Sequence, residues 1–496
     1  YEADRLIAHD RSYWKENSQE GRETVTKNRL QYRLVDGEKA GAMSTLSLFW
    51  PHPELASIGD PLAAARRARR QVSADELLKS VDSALDVSGA AEHASDAFFA
   101  YSGALPDELL ALSPDEVLLD LQHTEDEDAT AGLSARGFAV HVEEAHSKAT
   151  QSANGDAERA GHPDLARLAA FAPGVSALGA IRSVAGEGTT EAGQWRAAFV
   201  VAEGLRALFN RPGSMALLDR LYRTGKTQWQ KVLAYCEDGN LRAVLDEYVF
   251  QLHSELGGRE LDDESLLILA EQVAGAVGIR RATYRAHETT LDRAQIQLSS
   301  RFALQYGGAN QSDAGQAVRQ GEVRQAFNSP FAPFVLASTS VGQEGIDFHW
   351  WCHSVVHWNL PSNPVDFEQR EGRVNRFAGH AVRKNVAERH WADVLASPDS
   401  RAWRAAFNAA ENAETGLGEF SPWWVYPGSA RIHRVVATFP MSQDIAKYRR
   451  LTNALTLYRL TLGQPRQEDM VELLERRGLA TDRLPTIDLS PPAGRD

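Results

Sequence analysis

Cysteine is nearly absent: Cys236 and Cys352 are the only two in 496 residues, and they lie far apart. That usage offers no disulfide framework and fits a reduced, cytoplasmic setting. Positive charge is also in deficit, with 53 Lys and Arg against 67 Asp and Glu and a net charge of −14. Non-specific affinity for nucleic acid comes mainly from Lys and Arg, so any such contact needs a local basic track on an acidic body. Long apolar runs are lacking too. The best bilayer candidate, Leu168 to Ile181, is interrupted by Pro173 and Gly174; it falls short of the roughly 20 residues that cross a membrane, so no membrane partner is expected. The charged opening from Tyr1 to Arg11 is not a secretory signal, and a start at Tyr1 rather than Met leads us to expect sequence ahead of it. No G-x-x-x-x-G-K-[ST] phosphate loop occurs. Thr224-Gly225-Lys226-Thr227 carries only its tail. Five positions before Gly225 stands Arg220, and the preceding pattern is helical, so an exposed turn is the better reading.

What is present centres on residues 334–376. An apolar run (Phe334, Val335, Leu336, Ala337) meets Ser338-Thr339-Ser340 and Gly342, then Gly345-Ile346-Asp347, a second apolar pair (Val355, Val356) and a helical segment. The order is strand, polar loop, strand, helix. Asn363 suits the N-cap, Pro364 the first helical position, Asp366 the first turn and Gly379 the stop. Inside that helix Gln369, Arg373 and Arg376, spaced i, i+4, i+7, share one face. Arg370 has Asp366 one turn back. The helical neighbours of Arg373 are Gln369, Arg370, Arg376 and Phe377, and those of Arg376 are Gly372, Arg373, Gly379 and His380. None is a carboxylate. Two adjacent guanidiniums repel, so this face either meets acids from elsewhere in the fold or receives an anion. In an open α/β sheet, ligands sit at the carboxyl ends of the strands. The amides near Gly342 and Gly345 and the Asp347 carboxylate would lie there, and a phosphate fits that place.

The run from Ser338 to Asp347 resembles motif V of superfamily-two helicases, and Gln369-Arg370-Glu371-Gly372-Arg373-Val374-Asn375-Arg376 resembles their motif VI in the Q-R-x-G-R-x-x-R form. The two stand in the family's order and spacing. The resemblance implies an α/β fold, a RecA-like parallel-sheet lobe with large helical insertion or accessory domains, serving as the second lobe of an ATP-driven nucleic-acid motor. It implies Arg376 as the finger on the γ-phosphate with Arg373 assisting, and Gln369, Gly345 and Asp347 at the nucleotide, Asp347 on the ribose. It places Thr339, Ser340 and Gly342 against DNA or RNA. The cofactor implied is ATP with Mg2+, whose ligands, phosphate loop and base are expected on a missing N-terminal lobe of the same full-length chain. The stretch from Arg301 to the GQPRQED sequence near the C-terminus also looks like large bacterial helicases of defence loci, so other defence-system proteins are candidate partners.

The division expected is 1–120 as an N-terminal helical and mixed region, 121–190 as a mixed connector, 191–277 as a helical domain, 278–395 as the RecA-like lobe and 396–496 as a mostly helical accessory region. Residues from Tyr1 to about Val35 read as exposed helices, and Met43 to Trp50 as a strand closed by Pro51 and Pro53. Pro61 to Val87 is helical. Its cluster Arg66-Arg67-Ala68-Arg69-Arg70 reads as a solvated face, because Asp75, Glu76, Asp82 and Asp86 follow. Gln122 to Gly137 is an acidic loop. Phe138 to Val142 reads as a strand, and Glu143-Glu144-Ala145-His146 behind it imitates a helicase DEAH box, but its first acid is Glu and no phosphate loop precedes it. Asp164 to Val184 is apolar and buried. Apolar residues at three- and four-residue spacing predict helices at Trp195 to Phe209, Ser214 to Tyr222, Gln228 to Cys236, Asn240 to Leu256 and Asp263 to Val277.

Gly278 to His287, Gln295 to Tyr306 and Ile432 to Phe439 read as strands, and Gln443 to Leu462 as a helix. His349, Cys352, His353 and His357 invite a zinc reading, but a strand there separates Cys352 and His353 onto opposite faces, so no metal is assigned. His380, Arg383, Lys384 and Arg389 are candidates for the basic track. The aromatic cluster Phe420 to Pro427 reads as packing rather than base stacking. The leading expectation is thus a motor lobe that cannot hydrolyse ATP alone. The rivals are a non-catalytic nucleic-acid-binding or assembly module that retains the fold, and a metal-dependent nuclease built on His349 to His357.

Overall fold

The computed structural model describes residues 30, 34–35, 39–40, 44–88, 163–222, 226–278, 282–287, 295–300, 324–331, 335–337, 347–413, 415–460, 473–474 and 476–477. The expected loop at 122–137, the strand Phe138 to Val142 with Glu143 to His146, the Thr224-Gly225 turn and the loop Ser338 to Gly345 lie outside the described residues. The chain divides into two units, Tyr1–Gly278 and Ile279–Asp496.

In the first unit, β1 (Leu34–Val35) pairs antiparallel with β2 (Lys39–Ala40), so the expected helix does not continue through Leu34 and Val35. Helices α1 (Ser44–Phe49), α2 (Pro53–Ile58), α3 (Pro61–Ala68) and α4 (Ala74–Ser88) follow. Then come α5 (Pro163–Phe171), α6 (Pro173–Arg182), α7 (Glu191–Phe209), α8 (Pro212–Leu221), α9 (Gln228–Asp238), α10 (Leu241–Glu255) and α11 (Asp263–Gly278). The starts are written in the sequence. Asp60 accepts from the Leu62 amide at 3.0 Å ahead of Pro61, Thr190 accepts from Gly193 at 2.9 Å, and Thr227 forms a capping box with Gln230. Each such cap is worth about 1 kcal/mol.

Helix α6 is the axis of this unit: every residue from Pro173 to Ile181 is buried, and α1, α2, α5, α7 and α10 pack around it. Its approach to α1 is so close that a Cβ on Gly174 would lie 2.5 Å from the Trp50 carbonyl oxygen. That packing explains why Ser44 to Phe49 form a helix and not the expected strand. Leu46, Leu48, Phe49 and Trp50 are all buried, and a short apolar run buried on all sides carries no period that separates strand from helix. The arginine cluster sits at the end of α3, where Arg70 pairs with Glu76 at 2.6 Å and Arg67 donates to Ser80 at 3.1 Å. Glu76 and Ser80 of α4 thus take up part of the cluster.

The second unit has β3 (Ala282–His287) antiparallel to β4 (Gln295–Ser300), and β5 (Ser354–His357) parallel to β6 (His433–Val436), in register from Ser354 opposite His433 to His357 opposite Val436. Helices α12 (Pro364–Gly372), α13 (His380–Ala396), α14 (Ala402–Glu411) and α15 (Asp444–Leu460) accompany the parallel pair. Phe367 of α12 and Leu360 ahead of that helix pack on Leu451 and Leu455 of α15, with Val436 against them. The expected parallel sheet is present among the described residues only as β5 with β6. Residues 335–337 have no regular structure and Val335 is 83% exposed. The expected strand Phe334 to Ala337 is therefore not formed over those three, which pair with no strand among the described residues.

Polar staples hold the C-terminal part of this unit. The buried Asn385 amide donates to the Tyr426 and Ala430 carbonyls at 2.9 and 3.0 Å and accepts from the Ala430 amide at 2.8 Å. Trp423 stacks between Phe377, at 5.0 Å between ring centroids, and Phe407, at 4.3 Å. The aromatic cluster around Trp423 is packing, as expected, although Phe420 and Trp424 reach solvent.

Candidate functional site

Helix α12 begins as its sequence dictates, with the Asn363 side chain accepting from the Asp366 amide at 2.7 Å and Pro364 in the first turn. It ends earlier than expected. Gly372 is its last residue, Arg373 is the C-cap, and Gly379 instead precedes α13 as its N-cap. Gly is a poor helix former, and the Arg373 carbonyl accepts from the Phe348 amide at 2.9 Å. The chain then sinks Val374 and Ala378 into the interior, Ala378 with φ at 47° and its amide on the Trp423 carbonyl at 2.7 Å. Gln369 and Arg373 remain one helical turn apart, but Arg376 leaves the helix and the single face of three does not exist.

What the early stop achieves is a turn held against residues 347–349. Besides the Phe348 bond, the His380 amide donates to the His349 carbonyl at 3.0 Å, and the buried Asn328 side chain donates to the Asp347 carbonyl at 2.8 Å. Phe327 packs edge-on to Phe348 at 5.4 Å. These bonds bring the Asp347 carboxylate beside Arg376, Oδ1 to Nε 3.1 Å, with side chains 33% and 41% exposed. An exposed pair of this kind contributes about 0–1 kcal/mol, so a more highly charged anion can displace the carboxylate.

The two glutamates of α12 face other partners. Arg459 of α15 donates to Glu368 at 2.6 Å. Glu371 is gripped by Arg434 of β6, Nη2 to Oε2 2.6 Å with Nε on the other oxygen, and His357 Nε2 lies 3.2 Å from it. Burial alone would raise the Glu371 carboxyl, but hydrogen bonds from His357 and Arg434 and the Arg434 charge outweigh it and hold the group below its ordinary range. Arg370 donates to the Asn359 carbonyl at 2.8 Å. Gln369 is exposed.

The structure therefore brings Asp347 and Arg376 together, places Arg373 at the head of the same turn and leaves Gln369 on the exposed side of α12. Thr339, Ser340, Gly342 and Gly345 lie outside the described residues. The histidine cluster disperses. His357 turns to Glu371 and stacks on Phe367 at 4.4 Å, His353 Nδ1 meets His380 Nδ1 at 2.9 Å, and His349 is buried. Among the described residues no group of three or more His, Cys, Asp or Glu is arranged to hold a metal. The basic track needs a correction as well. Arg383 is fully buried, donating to the Ala378 carbonyl at 2.7 Å and to the Trp350 carbonyl, with its guanidinium over the Trp351 ring at 5.5 Å. Burial first, and the Arg383 charge second, depress His380 to about 3, so its ring is neutral near pH 7. Only Lys384 and Arg389 of that group remain exposed.

Residues 288–378 match the family described as the helicase conserved C-terminal domain. That match takes in the Asp347 segment, α12 and the arginine turn, covers well under half of the chain, and stops ahead of β6 and α15. It implies a helicase-type nucleic-acid motor lobe, with the ATPase activity and nucleic-acid binding general to helicases. No curated protein and no solved structure matches the chain significantly. No helix among the described residues is long and apolar enough to cross a membrane.

Sequence reasoning missed Asn328 and Arg434, and it weighed His357 as a metal ligand rather than as a partner of Glu371. Asn328 and Arg434 act from 19 and 63 residues away from their partners, and no short motif records such a distance. The one available signal was the strand pattern of Ile432 to Phe439, whose pairing with β5 carries Arg434 to the helix.

Proposed function

We propose that this chain carries the second motor lobe of an ATP-dependent, superfamily-two DNA or RNA helicase or translocase of the bacterial defence type, acting in the cytoplasm. Arg376, assisted by Arg373, neutralises charge on the transferring phosphoryl group. Gln369, Gly345 and Asp347 border the nucleotide, and Thr339, Ser340 and Gly342 border the strand. The phosphate loop, the Mg2+ ligands and the general base belong to an N-terminal lobe of the full-length protein, and the helical regions 1–120, 191–277 and 396–496 are accessory to the motor. The observation that carries this reading is the half-exposed Arg376 beside Asp347 within the helicase-domain match. A guanidinium so placed can exchange one carboxylate for phosphate oxygens, to which it binds bidentately. Before that exchange Asp347 keeps it oriented; after it, the released carboxylate is free to accept from a ribose hydroxyl.

An arginine finger is worth about 10³–10⁵ in turnover. In the full-length protein, Arg376→Ala is expected to lower nucleic-acid-stimulated ATP hydrolysis about a thousandfold or more while the far-ultraviolet circular dichroism stays unchanged; a rate near wild type removes the finger role. A non-catalytic nucleic-acid-binding or assembly module is favoured by one observation, the lack of a phosphate loop in these 496 residues. It predicts strand binding by the full-length protein with no turnover.

A further inference from the structure

We propose that Arg434 is a positioning residue: a clamp from the second strand of the parallel pair that sets where the arginine turn after α12 stands. The proposal rests on the motor reading for its consequence in turnover but not for its structural content. Glu371, Gly372 and Arg373 are consecutive, so whatever fixes Glu371 fixes the root of the turn. The Glu371 carboxylate is held at both oxygens by Arg434 and at one by His357. Its own carbonyl accepts from the Val374 and Asn375 amides at 3.1 and 3.3 Å. One residue thus joins the clamp to the backbone that carries Arg373 and Arg376.

Arg434 grips α12 a second time. Its guanidinium lies 4.5 Å from the centroid of the Phe367 ring, one turn back on the same helix and fully buried. Two contacts one turn apart define both the rotation and the height of α12, which a single contact cannot. The clamp is itself anchored, because Arg434 is the register partner of Val355 in the parallel pair. A bidentate arginine–carboxylate pair adds fixed geometry to its energy, and lysine cannot reproduce the fork. The family match ends at residue 378, so this support comes from chain beyond the matched domain.

A misplacement of about 1 Å in a group acting on the transition state costs on the order of 10²-fold, and it falls on kcat where the group acts only there. In the full-length protein, Arg434→Gln is expected to lower kcat for ATP roughly 10- to 100-fold, with KM within about threefold. It should also speed amide exchange at Val374 and Asn375 on the order of tenfold, while α14 amides keep wild-type protection. Arg434→Lys, which keeps the charge and loses the fork, is expected to fall between, and it carries the test should the Gln variant fail to fold. Unchanged exchange at Val374 and Asn375 overturns the clamp. Faster exchange with unchanged kcat overturns the positioning role. A wild-type protein that hydrolyses no ATP sinks the motor reading instead, and the exchange result still decides whether Arg434 holds the turn.

Discussion

The two units solve the same problem by different chemistry. The first unit packs α6 chiefly with apolar side chains, closes on it by backbone approach at Gly174, and admits one charged neighbour, the Arg242 guanidinium against Gly179, which pairs with Asp246 at 2.9 Å. Around β5 and α12, the second unit buries Arg383 and Asn385 and crosses its elements with the Glu371–Arg434 and Glu368–Arg459 pairs. An apolar core tolerates any packing that fills its volume, whereas a hydrogen-bonded charge accepts one geometry. The unit that presents the Arg376 guanidinium is the one whose helix α12 is fixed to its neighbours by such directional contacts. Breaking each core at its centre sharpens that contrast.

The largest effect is expected in the first unit. Trp195 is 1% exposed, meets Trp50 edge-on at 5.2 Å and stacks on Phe199 at 5.2 Å. Trp195→Ala leaves a cavity between α1 and α7 and should cost about 3–5 kcal/mol, read as a lowered denaturation midpoint for the first unit. A loss under about 1 kcal/mol means that the neighbours collapse into the space and that the core is less rigid than the packing implies.

Next comes Arg383→Ala in the second unit. It removes a buried cation and strands the Ala378 and Trp350 carbonyls that the cation serves. Unsatisfied buried acceptors cost about 1–3 kcal/mol each, so a net loss of about 2–4 kcal/mol is expected in chemical denaturation, confined to the unfolding of the second unit. The directional character of this unit is wrong if the variant is as stable as wild type.

The same contrast explains what could be read from the chain. The helices of the first unit follow from apolar spacing, since α7, α9, α10 and α11 bury continuous stripes and their caps are local. The segment that forms α1 reads as a strand rather than a helix, because burial of its apolar residues on several sides erases the period. In the second unit the beginning of α12 is a local affair of Asn363 and Pro364, and it is legible. Its end is not. Gly372 permits a stop, but the stop is made by Phe348 capturing the Arg373 carbonyl, and a motif that names Arg373 and Arg376 says nothing of where the helix between them ends. The chemistry of the site was therefore readable in residue types, and its geometry was not, since Asn328, Glu371 and Arg434 act across long stretches of chain.

The smallest effect should come from the site itself. Asp347→Asn removes the charge opposite Arg376 but keeps its volume and the carbonyl that Asn328 holds. With both side chains reaching solvent, the ion pair is worth about 0–1 kcal/mol and is further weakened by salt, so denaturation midpoints for the second unit should shift by less than about 1 kcal/mol. Arg376 and Arg383 would then be opposites on one short segment, the second built into the interior and the first left reachable. The distinction matters because a guanidinium that stabilises the fold cannot also move to a phosphate without loosening what it holds. If Asp347→Asn proves as costly as Arg383→Ala, Arg376 is a structural residue, and the exposed turn loses its claim to be the place where this unit acts.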